Sequence, residues 1–408
     1  MRNPNIKKAL TPGPDRERIR RIRQALKKAG LDAVVARAPE NIQYLSGFLP
    51  GSAGNVPAAI FTADGEIAVM AADKDYPFLE DAWPTETRIF PAYALRGDDP
   101  GRRFADFLKD CAKRYGFARG SVAYEGSLGS LSAPMFCGTI ATLPASGYGD
   151  AIRAALPKAK LVDGAPLLYE LRGVKTAYEL ERMRRAAGLA AVGNLACKEA
   201  LRPGMTEAEI AVTIESAIGR AGAECRGARR WRGFAFVGAG RRSAITWIVL
   251  EFNKGYRVKS GDLVLIEMHV MVDGYWTDHT RTYAVGRPTA RQREVWAAVA
   301  EAQRRSMAAD RPGATGQEID AAGRAVIEKA GLGAYFPHHT GHGTGLCSHE
   351  PPFIHPFVPG VKMAAGATHS CEPGVYIEKE GIGCRIEDIV ETTPGGAKYL
   401  YDYDRTLD

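Results

Sequence analysis

A chain of 408 residues with 45% apolar and 25% charged side chains has room for two domains with sizeable cores, which excludes a disordered tail or a low-complexity polymer. Its formal charge of +7 is mild for this length, and the basic run from Asp15 to Gly30 (DRERIRRIRQALKKAG) is broken by acids and spaced as a helix. That run reads as a solvated helix face rather than a polyanion-binding patch, so no nucleic-acid partner is expected.

The first residues, MRNPNIKKALTPGPDRER, lack the apolar core of a secretory signal, which points to a cytoplasmic protein. A helix is predicted through Arg18–Ala29, followed by the apolar run LDAVVA and by PENIQYLSGF. AAIFTADGEIAVMAA reads as a hairpin turning at Asp64-Gly65. FADFLKDCAKRYG is an amphipathic helix, and SVAYEG a strand. This alternation predicts an α/β domain over residues 1–168. The longest uncharged stretch, Gly126 to Gly149, is rich in Gly, Ser and Pro and does not read as a membrane span.

From Leu171 the texture becomes α+β, which defines a second domain over residues 169–408. Thr176 with Glu179 forms a capping box opening a long helix to about Leu201, and Thr206 with Glu209 opens another to about Gly219. RPGMTEAEIAVTIESAIGRAG (202–222) recurs as RPGATGQEIDAAGRAVIEKAG (311–331). Each copy follows a longer helix opened by a threonine, Thr176 in one case and Thr289 in the other. The second domain therefore reads as an internal duplication whose two halves contribute residues to one central cleft. Seven cysteines, an odd number without a C-x-x-C pair, fit reduced thiols rather than a disulfide framework.

Four acids and a histidine stand out in this second domain: Glu267, Asp278, His342, Glu372 and Glu387. Each acid lies on a strand-like stretch with apolar neighbours, where an unpaired carboxylate is costly to bury. Glu267 and His269 are two apart and share a strand face, and the Asp-Gly turn in MVDGYW brings Asp278 back opposite them. His342 lies among glycines in TGHGTG, where small neighbours allow close approach of a metal or substrate. Alternation puts Arg385 on the face of Glu387 and turns Cys371 and Cys384 away. Taken singly, each residue has an ordinary structural explanation. Together, acids on apolar strands without matching bases call for cations. Two divalent ions would balance four carboxylates, and oxygen-rich ligands with one nitrogen suit Mn²⁺, Co²⁺, Zn²⁺ or Fe²⁺.

In these segments the chain resembles the creatinase/Xaa-Pro peptidase (M24) superfamily of pita-bread metalloenzymes. PENIQYLSGF is similar to the N-terminal creatinase-like signature, and LRGVKTAYELERMRRAA to the entry into the catalytic domain. GYWTDHTRT, HHTGHGTGLCSHEPP, EPGVYI and RIEDIV follow the ligand blocks in order. The resemblance implies that Asp278 and Glu387 bridge two metals, that Glu267 binds one, and that His342 with Glu372 binds the other. It implies a metal-bridging water or hydroxide whose proton goes to Glu372, His349 stabilising the tetrahedral intermediate, His338 lining the site, and a homodimer.

Three departures bear on the substrate. Glu267 stands where the best-known peptidases of the family have Asp, and its longer side chain can still reach a metal while shifting the coordination geometry. His269 stands where the family commonly has a small residue, and reads as an extra ligand or a pocket wall. Peptidases of the family carry a substrate-binding histidine before the Gly-Asp of the first ligand strand, whereas the first histidine here is His269 and Trp247 stands in the expected region. The expected function is hydrolysis of a small amide, with Xaa-Pro peptides as the family's default. The alternatives are amidine or cyclic-amide hydrolysis or lyase chemistry on a small metabolite, and a catalytically silent binding module.

Overall fold

The computed structural model describes residues 8–51, 57–80, 82–92, 99–127, 147–247, 255–358 and 360–408. Most of the uncharged stretch 126–149 and residues 248–254 beyond Trp247 lie outside this description. The chain clusters into two compact units, one of Thr11–Arg172 and one of Gly173–Asp408 joined by residues 8–10. The boundary falls at the end of a helix (Ala165–Gly173), and Leu10 is tied to the second unit by its N–H on Arg226 O (3.0 Å). Among the described residues no helix is long and apolar enough to cross a membrane.

The first unit runs α1 (Arg16–Lys28), β1 (Ala33–Ala36), α2 (Pro39–Ser46), β2 (Ala58–Thr62), β3 (Ile67–Ala72), α3 (Tyr76–Leu79), β4 (Glu86–Phe90), α4 (Pro100–Arg114), β5 (Ser121–Tyr124), α5 (Gly147–Ala155), β6 (Lys160–Asp163) and α6 (Ala165–Gly173). Its strands form one six-stranded sheet, β4-β3-β2-β1-β5-β6. The Asp64-Gly65 turn closes the antiparallel β2–β3 pair, with Gly65 at φ 100°. Helix α4 buries Phe104, Phe107, Leu108 and Cys111 against Val35, Ile60 and Met70, so its 3.6-residue apolar stripe becomes the core of this α/β unit.

The second unit continues with α7 (Ala177–Ala200), α8 (Glu207–Ala223), β7 (Trp231–Ala239), β8 (Leu263–Val272), β9 (Tyr275–Ala284), α9 (Ala290–Ala309) and α10 (Gly316–Lys329). Seven strands follow: β10 (Gly341–Gly343), β11 (Glu350–Ile354), β12 (Thr368–Cys371), β13 (Gly374–Ile377), β14 (Ile382–Arg385), β15 (Asp388–Thr393) and β16 (Gly396–Tyr399). These strands form sheets of order β7-β8-β9, β11-β10-β12-β15-β16 and β13-β14. The capping boxes at Thr176, Thr206 and Thr289 all form, and a fourth stands at Thr315. Helix α8 runs on to Ala223 rather than ending near Gly219, because Ile218 and Gly222 are still buried against the core.

The duplication extends to the backbone. Gly204 and Gly313 have φ of 91° and 90°, and their N–H groups reach Val258 O and Met363 O, each at 2.8 Å. Val258 and Met363 return N–H bonds to Met205 O and Ala314 O, again at 2.8 Å, and Thr206 and Thr315 bridge to Arg257 and Lys362. Two copies of one turn thus deliver two helix pairs onto two sets of strands. They keep separate apolar clusters, one around Leu189, Ile214 and Ile266 and the other around Val299, Ile327 and Val375.

Candidate metal centre

Strand β8 divides its residues cleanly between two faces. Val264, Ile266, Met268, Val270 and Val272 enter the core beneath α7 and α8. Each such fully buried side chain is worth roughly 1.5–3 kcal/mol. A one-residue slip would send them to the other face, so this burial fixes the register and holds Glu267 and His269 opposite the core. Asp273 (φ 49°) and Gly274 (φ 85°) make the tight turn into β9. Asp273 Oδ1 anchors it by accepting from the N–H groups of Arg229 (2.8 Å) and Arg230 (2.9 Å). The pairing then puts His269 directly opposite Asp278 and Glu267 opposite Thr280.

The second half meets this hairpin at one bridge. Thr280 and Glu387 exchange backbone hydrogen bonds, and Thr280 Oγ1 donates to Glu387 Oε2 at 2.8 Å. On the neighbouring sheet, Ser370 accepts from His342 N (3.0 Å) and donates to Glu372 Oε1 (2.9 Å), which holds the His342 main chain and the Glu372 side chain. His342 Nε2 consequently stands 3.3 Å from Glu372, 3.8 Å from Asp278 and 4.0 Å from Glu387. All five residues lie in the duplicated unit, two from its first half and three from its second. With His269 and His349 they fall into mutually close trios: Glu267, His269 and Asp278; His342, Glu372 and Glu387; and Asp278, His342 and His349.

The donor chemistry fits cations. His342 Nδ1 lies 3.1 Å from Gly343 O, an acceptor that calls for the N–H on that atom. Burial, with His349 and His339 alongside, pushes this imidazole well below its ordinary pKa, so the ring is neutral and Nε2 turns a lone pair toward three carboxylates. Burial and then the Glu387 charge push Glu372 well above the usual carboxylate range, and burial also raises Glu387. Glu387 Oε1 is buried without a hydrogen-bond partner. Such a set is held together by protons or by cations, and its nitrogen and oxygen donors suit divalent ions.

The remaining expected residues fall around this group. His349 stacks on His342, with ring centroids 3.6 Å apart and planes 13° from parallel. His338 hydrogen-bonds the Tyr376 hydroxyl through Nε2 (3.0 Å) and stands outside the trios. Arg385 is buried with its guanidinium on Glu267, Nε donating to Thr280 Oγ1 (2.9 Å) and Nη1 to Tyr376 (3.3 Å). It therefore braces the carboxylate of Glu267. Trp247 is 58% exposed, 6.4 Å from His338 between ring centroids. Both line a cavity of about 530 Å³ with Arg324, His339, His355 and Phe357.

The glycines around His342 serve a different purpose from the one their smallness suggested. A Cβ on Gly341 would collide with the Ser370 carbonyl, and one on Gly343 with the backbone of Glu350 and Pro351. They admit neighbouring strands rather than a ligand. Gly341→Ala is therefore expected to cost about 1–3 kcal/mol and to shift Ser370 away from His342, read as a lower denaturation midpoint together with weaker metal uptake. Thr280, Ser370 and Tyr376 escaped the sequence reading. A signal existed for the first two, since each lies two residues from an acid already singled out, Asp278 or Glu372, as period-2 alternation requires of neighbours on one face.

Residues 181–394 match metallopeptidase family M24, and residues 18–174 match the creatinase/prolidase N-terminal domain. The Xaa-Pro dipeptidase of Pyrococcus furiosus is 30% identical over 96% of this chain and 99% of its own length. Among solved structures, the prolidase of Pyrococcus horikoshii covers 96% of this chain and 100% of its own, with 25% identity and a TM-score of 0.75. An Xaa-Pro dipeptidase from Bacillus anthracis covers 96% and 98%, with 25% identity and a TM-score of 0.77.

Proposed function

Because the chain belongs to metallopeptidase family M24 and carries the creatinase/prolidase N-terminal domain, we propose that it is a metal-dependent Xaa-Pro peptidase acting on small peptides. The proposal includes two divalent cations held by Glu267, Asp278, His342, Glu372 and Glu387, and a homodimer, which light scattering would check. The observation that carries it is the His342 lone pair directed at three buried carboxylates.

When bound there, two divalent cations lower the pKa of water and polarise a scissile carbonyl. The protein's own groups do the rest. Glu372, positioned by Ser370 beside Glu387, is placed to take the proton of the attacking water. His349, held in place by stacking on His342, is placed to donate to the developing oxyanion. His338 and Tyr376 form a hydrogen-bonded wall that orients the peptide beside the cavity.

The test is a panel of Xaa-Pro dipeptides and tripeptides with added Mn²⁺ or Co²⁺. Turnover that a chelator abolishes supports the proposal. A silent panel, with turnover of a betaine-like or cyclic-amide metabolite, supports the second reading. That reading is favoured by one observation: an exposed tryptophan borders the cavity where the resemblance calls for a histidine, and an indole has no acceptor and cannot relay a proton. Trp247→His is expected to raise kcat/KM on Xaa-Pro substrates by about tenfold or more, equivalent to about 1.4 kcal/mol. An unchanged substrate profile would leave Trp247 a packing residue.

A further inference from the structure

We propose that His269 is itself a metal ligand, so that the cation held by Glu267 and Asp278 has a nitrogen donor of its own. This rests on the two-cation reading above and adds a residue that lies outside the five-ligand set. His269 is almost fully buried and stands directly across the β8–β9 ladder from Asp278. Its ring is clamped edge-on by Phe236, at 5.9 Å between centroids, and flanked by His349 at 6.2 Å. Nε2 lies 3.1 Å from Glu267 Oε1 in hydrogen-bonding geometry. Nδ1 lies 3.2 Å from Asp278 Oδ2, yet makes no hydrogen bond.

These two contacts differ in kind. A proton on Nε2 serves Glu267 and leaves the Nδ1 lone pair close to a carboxylate oxygen, a repulsive pairing in a buried site. A proton on Nδ1 would not mend it, because the Asp278 oxygen lies off that N–H direction. A cation accepting from both Nδ1 and Asp278 turns the repulsion into two ligand bonds. Glu267, His269 and Asp278 each offer an atom close enough to the others to hold one ion, as do His342, Glu372 and Glu387. The pair then has one imidazole per cation. Nitrogen at both positions moves preference toward Co²⁺ and Zn²⁺ and away from Mn²⁺.

X-ray absorption of the zinc-loaded full-length protein counts imidazoles directly. Two per pair of ions is the expected result, and one per pair would overturn the assignment while leaving the two-cation centre in place. Failure of the wild type to take up zinc at all would overturn both. Competition titrations with a chromogenic chelator provide the second arm. His269→Ala and the bulkier His269→Gln are each expected to bind one zinc ion as the wild type does and the other more weakly by more than about a hundredfold, beyond the loss that an outer-shell partner causes. Circular dichroism of the metal-free variants checks that both are folded. If both variants are folded and bind two zinc ions with wild-type affinity, His269 is not a ligand.

Discussion

Asp278→Ala is expected to fold and to lose turnover by about a thousandfold or more, equal to roughly 4 kcal/mol of transition-state stabilisation. Asp278 stands at the junction of the whole constellation. It lies across the ladder from His269 and 3.8 Å from His342 Nε2, so it belongs to trios on both sides of the site. Its immediate neighbours on β9 cannot replace it, because alternation turns Thr277 and His279 to the opposite face. The stability signature should run the other way. In metal-free protein, removing one of several crowded carboxylates relieves repulsion, so the melting temperature should hold or rise. The wild type should gain about 2.7–4.1 kcal/mol from cations at 100 to 1,000 times the dissociation constant, and the variant should lose most of that gain. Surviving activity would mean that the site is misassigned.

Asp388→Ala should produce the largest loss of stability, about 3–5 kcal/mol, because it leaves the buried Arg281 without its counterion. Arg281 is almost fully buried and donates to Asp388 Oδ1 at 2.7 Å, while Arg405 donates to Oδ2 at 2.9 Å. Arg405 also reaches Oδ1 (3.1 Å), and Gln303 adds a further bond at 3.0 Å. Burial alone pushes this carboxyl up, but Arg281, His279 and Arg405 overcome it and hold the group well below the usual carboxylate range. It therefore stays charged at neutral pH.

Arg281 also donates to the carbonyls of Thr280 and Glu387, each at 2.8 Å, so the ion pair grips the bridge that joins the two halves of the site. Asp388→Ala should accordingly weaken metal binding as well as folding. The contrast is Glu301, whose contacts to Arg304 and Arg305 lie on the exposed face of α9. Glu301→Ala should change stability by no more than about 0.5 kcal/mol. Denaturant midpoints with an unchanged slope report both.

The reasons these features differ in legibility are local. The β8–β9 hairpin was readable because an Asp-Gly turn and period-2 alternation are short-range rules, and together they place His269 opposite Asp278. The duplication was readable because its turn repeats in sequence before it repeats in backbone. The Arg281–Asp388–Arg405 cluster joins residues more than a hundred positions apart in the case of Arg281, and nothing local marks an arginine that will be buried. The role of the glycines was misjudged for a similar reason. Their small size is visible in TGHGTG, but the strands that approach them carry Ser370 on one side and Glu350 and Pro351 on the other. The substrate side stayed open because Trp247 meets His338, His355 and Phe357 only through tertiary folding.

The central claim is that crowded carboxylates and an imidazole lone pair in one duplicated unit hold two divalent cations. Elemental analysis of the purified chain, after reconstitution and removal of loosely bound ions, tests it most directly. The account predicts two divalent ions per chain. Retention of none, with a melting temperature indifferent to chelator, would contradict it.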